Sequence, residues 1–221
     1  MSYFVSEAVI IGATGLVGVA LVKQLSALES CRCVRIWVRQ YQAQFAEIEK
    51  IQQVVVDDFL KIEPKDVAGF SHAFSCLGTT RKQAGTKEKF FAVDYGLNAH
   101  FIDLFKNTET HFLLVSATGA NAQSMFFYNR VKGQLEAYLE QAHLNRVSIL
   151  RPSLLLGKHQ GQRLLEECSQ HIFQRISPYL PQYFSFKPVT ATQVAHTMVS
   201  VASQQTEKFK IYDNLQILKT T

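Results

Sequence analysis

The sequence contains no apolar run that approaches the roughly 20 residues of a transmembrane helix. Its first residues, Met1-Ser2-Tyr3, carry no basic side chain, and the apolar stretch Val9–Ile11 is soon interrupted by glycine, so no secretory signal peptide is expected. Internal repeats and low-complexity linkers are absent as well. These absences predict a globular cytosolic protein with no membrane partner.

Cysteine and histidine are present but lack the spacing of a metal or redox site. Cys31 and Cys33 have one residue between them, which is the wrong spacing for a Cys-x-x-Cys pair. Cys76 ends an apolar run and is most simply a small buried hydrophobe, and Cys168 is the remaining cysteine. The 7 histidines show no His-x-x-x-His or comparable cluster. We therefore predict that the protein binds no metal.

A continuous basic stripe is also lacking. The formal net charge of +5 comes from dispersed lysines and arginines, and the densest stretch, Arg81–Lys89, includes the acid Glu88. A surface that binds nucleic acid would need a continuous cationic face with aromatic platforms. The sequence therefore predicts no nucleic-acid partner, and its charges fit a solvated surface with local anion sites for a phosphorylated cofactor.

What the sequence does contain is a regular alternation of strand-like and helix-like segments. With 221 residues, of which 47% are hydrophobic, the chain can form one domain that buries roughly 70% of its unfolded surface. Apolar runs that predict strands lie at Val9–Gly12, Cys33–Val38, Val54–Val56, His72–Leu77, His111–Ser116 and Val147–Leu150. Helical periodicity covers Leu16–Leu28, Lys87–Lys106 and Met125–His143. This alternation predicts an α/β fold with a doubly wound parallel sheet that binds ligands at the carboxyl ends of its strands.

The pattern weakens over residues 151–221. Prolines recur at Pro152, Pro178, Pro181 and Pro188, and helical pieces are predicted near Arg163–Gln174 and Thr190–Ala202. A last strand is predicted at Lys208–Tyr212 or at Leu215–Leu218. We expect one domain over residues 1–221, in which residues 151–221 form a small C-terminal cap on the substrate side.

The most informative motif is a glycine-spaced turn between the first strand and the first helix. Gly12, Gly15 and Gly18 stand at Gly-x-x-Gly-x-x-Gly spacing, one residue away from the usual dehydrogenase pattern. Gly12 would permit the turn, Gly15 would leave room for a pyrophosphate, and Gly18 would let the helix lie close to the sheet. The helix amino terminus, which follows Thr14 and begins near Leu16 and Val17, would face the phosphates. The alternative is a plain packing turn.

Residues after the later strands favour a particular dinucleotide. Arg39 follows the second strand, where an NAD-specific protein usually has an acid, so a cofactor with a 2′-phosphate is favoured and NADP(H) is predicted over NAD(H). The alternative is an ordinary surface arginine. Asp58 could accept a hydrogen bond from the adenine amino group, or it could cap the next segment. Leu77 and Gly78 end the fourth strand, and Gly78 would allow close approach to a ribose or pyrophosphate.

A Tyr-x-x-x-Lys motif supplies candidate acid–base chemistry. Tyr128 and Lys132 share one face of a predicted helix, and Ser116 ends the preceding strand. Lys132 could stabilise a tyrosinate, while Ser116 could polarise a substrate carbonyl beside Tyr128. A second copy at Tyr183 and Lys187 lies between prolines, where no continuous helix can align the pair.

Taken together, these motifs resemble the short-chain dehydrogenase/reductase superfamily, and within it the atypical group of HIV Tat-interacting-protein oxidoreductases. The resemblance covers essentially the whole chain. Its carrying segments are Gly12-Ala13-Thr14-Gly15, Cys76-Leu77-Gly78-Thr79-Thr80-Arg81-Lys82-Gln83-Ala84-Gly85, Val93-Asp94-Tyr95, Val131-Lys132-Gly133 and Arg151-Pro152.

The resemblance implies that NADP(H) is held by the Thr14–Val17 turn, by residues after the second and fourth strands, and by the Tyr-x-x-x-Lys pair. The residues are Arg39, Leu77, Gly78, Tyr128 and Lys132, with further contacts after the sixth strand at Leu155 and Arg163. The chain departs from the pattern at Gln40, where a second basic residue is usual, and at Ala117, where a second serine is usual.

Two classes of function follow from these expectations. The first is an oxidoreductase that moves a hydride between NADP(H) and a small carbonyl or alcohol, acting as a monomer or homodimer. The second is a cofactor-binding redox sensor or interaction module without turnover. Activities like those of flavin reductases or nucleotide-sugar epimerases are further alternatives.

Overall fold

The computed structural model describes residues 4–156 and 187–220. Its main sheet has seven strands in the order β3-β2-β1-β4-β5-β6-β9, and every neighbouring pair is parallel. The strands are β1 (Glu7–Ile11), β2 (Cys33–Val38), β3 (Ile51–Val55), β4 (His72–Ser75), β5 (His111–Val115), β6 (Arg146–Leu150) and β9 (Phe209–Tyr212). A separate parallel pair joins β7 (Leu155–Leu156) and β8 (Val189–Thr190). The predicted doubly wound α/β fold is confirmed.

Helices cover both faces of the sheet. They are α1 (Leu16–Ala27), α2 (Arg81–Ala84), α3 (Lys87–Phe91), α4 (Asn98–Asp103), α5 (Phe127–Gln141), α6 (Ala191–Gln204) and α7 (Asn214–Lys219). Alternate side chains of β1 face opposite sides of the sheet. Ile10 packs in the core beside α1 and α6, and Ile11 packs in the core beside α4 and α5. Among the described helices, none is both long enough and apolar enough to cross a membrane.

One of the two positions predicted for a last strand is occupied. Strand β9 lies within the predicted Lys208–Tyr212 segment and extends the main sheet by pairing with β6, and α6 packs against α1. Residues 187–220 therefore contribute to the body of the fold. Residues 215–218 lie in α7, so they form a helix and not a strand. The predicted helical piece at Arg163–Gln174, with Arg163 itself, lies outside the described residues.

The helix predicted over 87–106 is interrupted. After α3 the backbone widens into a π-helical segment, Ala92–Leu97, before α4 begins. Asp94 in this segment and Asn98 after it are fully buried. Such widened turns occur mostly as single insertions in helices, frequently at functional sites. Here the widened turn brings two polar side chains inward beneath the end of β4.

Two histidines are buried near the amino ends of β4 and β5. His72 Nε2 lies 3.1 Å from the carbonyl oxygen of Ala202, and His111 Nε2 lies 2.7 Å from Ser148 Oγ. Burial lowers the pKa of His72 to about 4 and that of His111 to about 3, and the charge of Arg146 contributes in the same direction. Both rings are therefore neutral in the folded protein at neutral pH.

These histidines should make folding stability sensitive to mild acid. Because both folded pKa values lie below the unfolded value of about 6.5, the unfolded chain binds more protons, and stability falls as pH drops from about 6.5 toward about 4. Each histidine should remove about 2 kcal/mol of unfolding free energy between about pH 6.5 and about pH 5. Urea unfolding at a series of pH values measures this loss.

A variant series assigns the effect. His111→Gln should remove about half of the pH dependence over this range because one titrating group is gone. His196→Gln, which replaces an exposed histidine of α6, is the matched control and should leave the dependence unchanged. An unaltered pH dependence in His111→Gln would contradict this account.

Candidate active site

A cavity of about 690 Å³ opens at the carboxyl ends of the strands. The described residues that line it come from the glycine turn, the end of β2, the segment after β3, the end of β4, and the α2–α3 region with the π-helical segment. They are Gly12, Ala13, Thr14, Gly15, Trp37, Val38, Arg39, Phe59, Cys76, Leu77, Gly78, Thr79, Gln83, Ala84, Lys89, Ala92, Val93 and Leu97. The structure thus brings six of the predicted cofactor residues to one cavity: Gly12, Thr14, Gly15, Arg39, Leu77 and Gly78.

The three glycines of the first turn have different physical roles. Gly12 has a φ of 76°, and a Cβ atom there would lie 2.4 Å from the carbonyl carbon of Cys76. A Cβ at Gly18 would lie 2.1 Å from the carbonyl oxygen of Gly12. At Gly15 the nearest atom to a Cβ would be that same oxygen at 3.4 Å, an ordinary contact. The fold therefore requires glycine at 12 and 18, whereas at 15 the missing side chain leaves space in the cavity wall.

The first turn of α1 leaves backbone donors unpaired within the helix. Gly15 caps the helix with extended backbone, and the first N–H with a helical acceptor is that of Val19, which donates to Gly15 O at 2.9 Å. By helix geometry the N–H groups of Leu16, Val17 and Gly18 have no intrahelical acceptor. This end of α1 can therefore hold an anion.

A buried ion pair lies directly beneath Gly78. Lys132 Nζ on α5 is 2.8 Å from Asp94 Oδ1 in the π-helical segment, and the two side chains are only 5% and 0% exposed. The other carboxylate oxygen, Oδ2, accepts a hydrogen bond from Thr79 N at 2.8 Å. A Cβ at Gly78 would lie 3.3 Å from Asp94 Oδ1 and 3.4 Å from Lys132 Nζ. Glycine at 78 therefore lets the cavity wall approach the ion pair closely.

Asn98 holds the same region from behind. Its Nδ2 atom donates to Leu77 O at 3.3 Å and to Asp94 O at 3.1 Å, while its Oδ1 accepts from the Ser75 hydroxyl. One buried amide therefore ties the end of β4 to the π-helical segment. This arrangement fixes Asp94, and through it Lys132, relative to the cavity wall.

Tyr128 lies in the first turn of α5, four residues before Lys132 and on the same helix face. Its side chain is 40% exposed, and its ring packs against Phe90 with centroids 5.8 Å apart. The pair therefore combines an accessible phenol with a buried ammonium.

Ser116 differs from the prediction. It is buried, and its hydroxyl donates to Glu136 Oε1 on α5. Glu136 also accepts from Arg151 Nε at 3.1 and 3.2 Å. Glu136 lies two helical turns beyond Tyr128, about 12 Å along the axis. The structure therefore directs the Ser116 hydroxyl into this Glu136–Arg151 network and away from Tyr128.

Other predicted residues also lie outside the cavity lining, namely Asp58, Leu155, Leu16, Val17, Gly18, Tyr128 and Lys132. The Asp58 carboxylate accepts from Leu60 N at 2.9 Å and so caps a short 3-10 turn, Phe59–Lys61, while the ring of the next residue, Phe59, reaches the cavity. This is the capping role that the sequence had left open, and the predicted adenine contact is corrected. Leu155 is half-buried in β7 against the core that contains α1.

Sequence reasoning missed the roles of Asp94, Lys89 and Phe59. Asp94 could have been found from the sequence, because it lies between Val93 and Tyr95 in a helical stretch. A carboxylate buried there needs a cationic partner, so it would have indicated a buried ion pair. Lys89 was visible only as part of the basic stretch 81–89. Among the described residues, no group of His, Cys, Asp and Glu is placed to hold a metal ion.

Breaking the ion pair should destabilise the protein strongly. Asp94→Asn leaves the Lys132 ammonium buried without a counter-charge, which should lower the free energy of unfolding by about 3–5 kcal/mol. Lys132→Met should cost a similar amount because it isolates Asp94. The double variant should be more stable than the sum of the two losses predicts, since neither charge remains. Urea unfolding of all four proteins measures the coupling.

An exposed ion pair provides the control. Arg32 Nη2 lies 2.9 Å from Glu7 Oε1 at the surface, and Arg32→Ala should cost less than about 1 kcal/mol. Strictly additive losses at Asp94 and Lys132 would contradict the coupling that the geometry indicates.

Solved structures share this fold. The UDP-glucuronic acid 4-epimerase from Bacillus cereus, solved in complex with NAD, matches with a TM-score of 0.69 at 10% identity, covering 94% of this chain and 78% of the epimerase. A thiolation-reductase di-domain from an archaeal non-ribosomal peptide synthetase matches with a TM-score of 0.68 at 11% identity, covering 96% of this chain and 71% of that structure. At these identities the likeness shows the fold alone.

Curated relatives are similar over most of the chain. Protein FMP52-1, mitochondrial, of Scheffersomyces stipitis is 34% identical over 206 residues, covering 91% of this chain and 90% of the relative. Protein HTATIP2 of Rattus norvegicus is 31% identical over 203 residues, covering 90% and 83%. The predicted resemblance to the HIV Tat-interacting-protein group of NAD(P)-binding Rossmann proteins is confirmed.

The names of these relatives correct one prediction. Several, including that of Debaryomyces hansenii at 36% identity, are named as mitochondrial proteins, so the cytosolic location expected from the sequence is wrong. The model of the family described as HIM1 matches residues 28–190, more than half of the sequence. The chain therefore belongs to the HIM1 family.

Proposed function

We propose that the protein is an NADP(H)-dependent oxidoreductase that moves a hydride to or from a small carbonyl or alcohol. The observation that carries this proposal is the buried Lys132 ammonium, held by Asp94 beneath the cavity wall, one helical turn from the accessible phenol of Tyr128. Burying a lysine is costly, and a merely structural role would be served by apolar side chains. A fixed cation beside an accessible phenol is suited to proton transfer.

The cavity fits a dinucleotide. The space at Gly15 and the unpaired N–H groups of α1 suit a pyrophosphate. Trp37 and Phe59 supply aromatic surface near the end of β2. Solved proteins of this fold include epimerases in complex with NAD. These features support cofactor binding at the carboxyl ends of the strands.

The charges of the cavity favour a phosphorylated cofactor. Arg39 and Lys89 are the cations among the described lining residues, and that lining includes no Asp or Glu. NAD-specific proteins usually have a carboxylate here that binds the ribose hydroxyls, and this chain has the positive charge of Arg39 in its place. Lys89 offsets the departure at Gln40, because it supplies the second cation from another element.

The chain's own residues would then carry the proton. A bound nicotinamide cofactor supplies the hydride in reduction or accepts it in oxidation. Tyr128 donates its hydroxyl proton to the carbonyl oxygen in reduction and takes a proton from the alcohol in oxidation. The ammonium of Lys132 stabilises the tyrosinate that forms, and Asp94 holds that ammonium in place.

A cofactor-binding sensor without turnover is the second candidate. One observation favours it: the Ser116 hydroxyl donates its hydrogen bond to Glu136 and does not point toward Tyr128. A carbonyl at Tyr128 would then receive one hydrogen bond where two were predicted. Turnover distinguishes the two candidates.

Cofactor binding can be separated from cofactor choice. Gly15→Val should weaken both NADPH and NADH at least about tenfold, because its side chain enters the cavity, while the poorer helix cap costs only about 1 kcal/mol of stability. Arg39→Ala should weaken NADPH by about 10- to 100-fold through loss of charge-assisted hydrogen bonds and leave NADH nearly unchanged. Calorimetry gives both dissociation constants.

Arg32→Ala is the matched control, because it removes an arginine at the amino ends of the strands, away from the cavity. It should alter the dissociation constant of neither NADPH nor NADH. Equal or tighter binding of NADH by the unmodified protein would overturn the NADP(H) preference. Normal NADPH binding by Gly15→Val would show that the turn serves packing only.

Tyr128→Phe tests the chemistry. It removes one hydroxyl from a side chain that is 40% exposed, so the variant should fold normally and bind NADPH as before. Turnover of small aldehydes or ketones, followed by NADPH absorbance, should fall by at least about 10²-fold. Tyr183→Phe, in the second motif copy, should have no effect. Unchanged turnover in Tyr128→Phe contradicts the assignment, and tight NADPH binding without any turnover favours the sensor.

A further inference from the structure

Three cationic side chains surround the ring of Phe127, the residue that precedes Tyr128. Arg81 Cζ and Arg130 Cζ each lie 5.8 Å from the ring centroid, and Lys87 Nζ lies 5.6 Å from it. They come from three different elements, α2, α3 and α5. We refer to Arg81, Lys87 and Arg130 as the cationic rim.

The cationic rim is next to the proposed proton donor. The ring of Phe90 packs against Phe127 with centroids 5.6 Å apart and against Tyr128 at 5.8 Å. Phe90 is fully buried, so it fixes the two neighbouring rings relative to each other. The ring at the centre of the rim and the ring of Tyr128 therefore pack against the same buried side chain.

The described residues contain no ion pair that neutralises the positive charge of the rim. None of the ion pairs among the described residues includes Arg81, Lys87 or Arg130. Glu88 is an exposed residue whose pKa is lowered by hydrogen bonds from its own backbone and Thr86 and, to a smaller extent, by Lys87 and Arg81. Among the described residues, one exposed carboxylate therefore acts on two of the three cations, which leaves this surface positive.

Packing accounts for the rim only in part. A cation over an aromatic face is attracted to the ring, but the ring carries no charge and cannot offset the repulsion among three cations. Arg130 is also held in place, because its Nη1 donates to Ser124 O at 2.9 Å. Three mutually repelling cations around one ring, of which Arg130 is held by a hydrogen bond, are suited to binding an anion.

We propose that the cationic rim binds a carboxylate or phosphate group of the substrate and so places the substrate carbonyl at Tyr128. The inference rests on the proposed oxidoreductase function and narrows its substrates to oxo acids or oxo phosphates, with the reactive carbonyl and the anionic group joined by a short carbon chain. The rim binds the anionic end, while the chemistry stays at Tyr128.

A matched pair of substrates tests the rim. An aldehyde that ends in a carboxylate is compared with its methyl ester, which has the same chain but no charge, and kcat/KM is measured with saturating NADPH. The acid should be preferred by roughly tenfold, and the preference should shrink when ionic strength is raised from about 0.01 M to about 1 M, because screening shortens from about 30 Å to about 3 Å. An aldehyde phosphate and its dimethyl ester form the second pair.

Variants assign the preference to the rim. Arg81→Gln combined with Lys87→Gln should remove most of it, because Arg130 alone of the rim keeps its charge, while kcat/KM for the ester and the NADPH dissociation constant stay unchanged. Lys82→Gln removes the same charge from the neighbouring position on α2 and should retain the full preference. Equal use of acid and ester by the unmodified protein, or an equal loss for both substrates in the double variant, would overturn the proposal.

A binding measurement separates this proposal from the proposed function. Calorimetry with the NADP⁺ complex compares an unreactive short-chain carboxylate with its amide, so it needs no turnover. Selective carboxylate binding that is weakened in the double variant supports the rim even if no carbonyl is turned over. The lack of turnover would then contradict the proposed oxidoreductase function and not the rim.

Two apolar residues near the rim, Met125 and Phe126, are 91% and 76% exposed. Binding to phosphatidylserine vesicles without selectivity between carboxylate and amide would instead indicate a lipid surface and refute the substrate proposal.

Discussion

The ion pair between Lys132 and Asp94 is the interaction on which the rest of the candidate site depends. Removing two charges from water costs several kcal/mol per ion, and their attraction offsets this cost only when geometry and hydrogen bonding are good. Here Nζ and Oδ1 are 2.8 Å apart and Thr79 N donates to Oδ2, while Oδ1 has the charge of Lys132 beside it but no hydrogen bond of good geometry among the described residues. The pair joins the end of β4, the π-helical segment and α5. A cation is thereby fixed beneath the cavity wall at Gly78.

The π-helical segment explains why this geometry was not predicted. Helical periodicity over 87–106 is compatible with one continuous helix, and an extra residue in one turn changes the pattern too little to detect. The widened turn places Asp94 and Asn98 inward together, and Asn98 then binds the backbone of Leu77 and of Asp94. The cost of burying these groups is offset only by partners distant in sequence. Local pattern therefore indicates a helix here, while its interruption depends on tertiary contacts.

The same distinction separates the confirmed predictions from the corrected ones. The positions of the strands and the glycine turn follow from local signals, since alternating apolar runs and a backbone that tolerates no Cβ at Gly12 and Gly18 act over a few residues. Ser116 and Asp58 were placed correctly at strand ends, but their hydrogen-bond partners, Glu136 and Leu60 N, were not foreseen. A hydroxyl or carboxylate at a strand end can turn to several neighbours. The choice among them depends on packing.

Charge distribution adds a constraint that the overall composition hides. A net charge of +5 over 221 residues is mild, yet Arg39 and Lys89 face the cavity while Arg81, Lys87 and Arg130 surround Phe127 at its side. Two buried histidines at the amino ends of the strands, His72 and His111, are neutral at pH 7 because burial lowers the pKa of each ring. Where an anion is attracted therefore depends on the local arrangement of these cations and not on the net charge. Under the proposed function, a dinucleotide in the cavity and an anionic substrate at the rim would each meet such a local group of cations, and Phe90 packs against both Phe127 at the centre of the rim and Tyr128, the proposed proton donor.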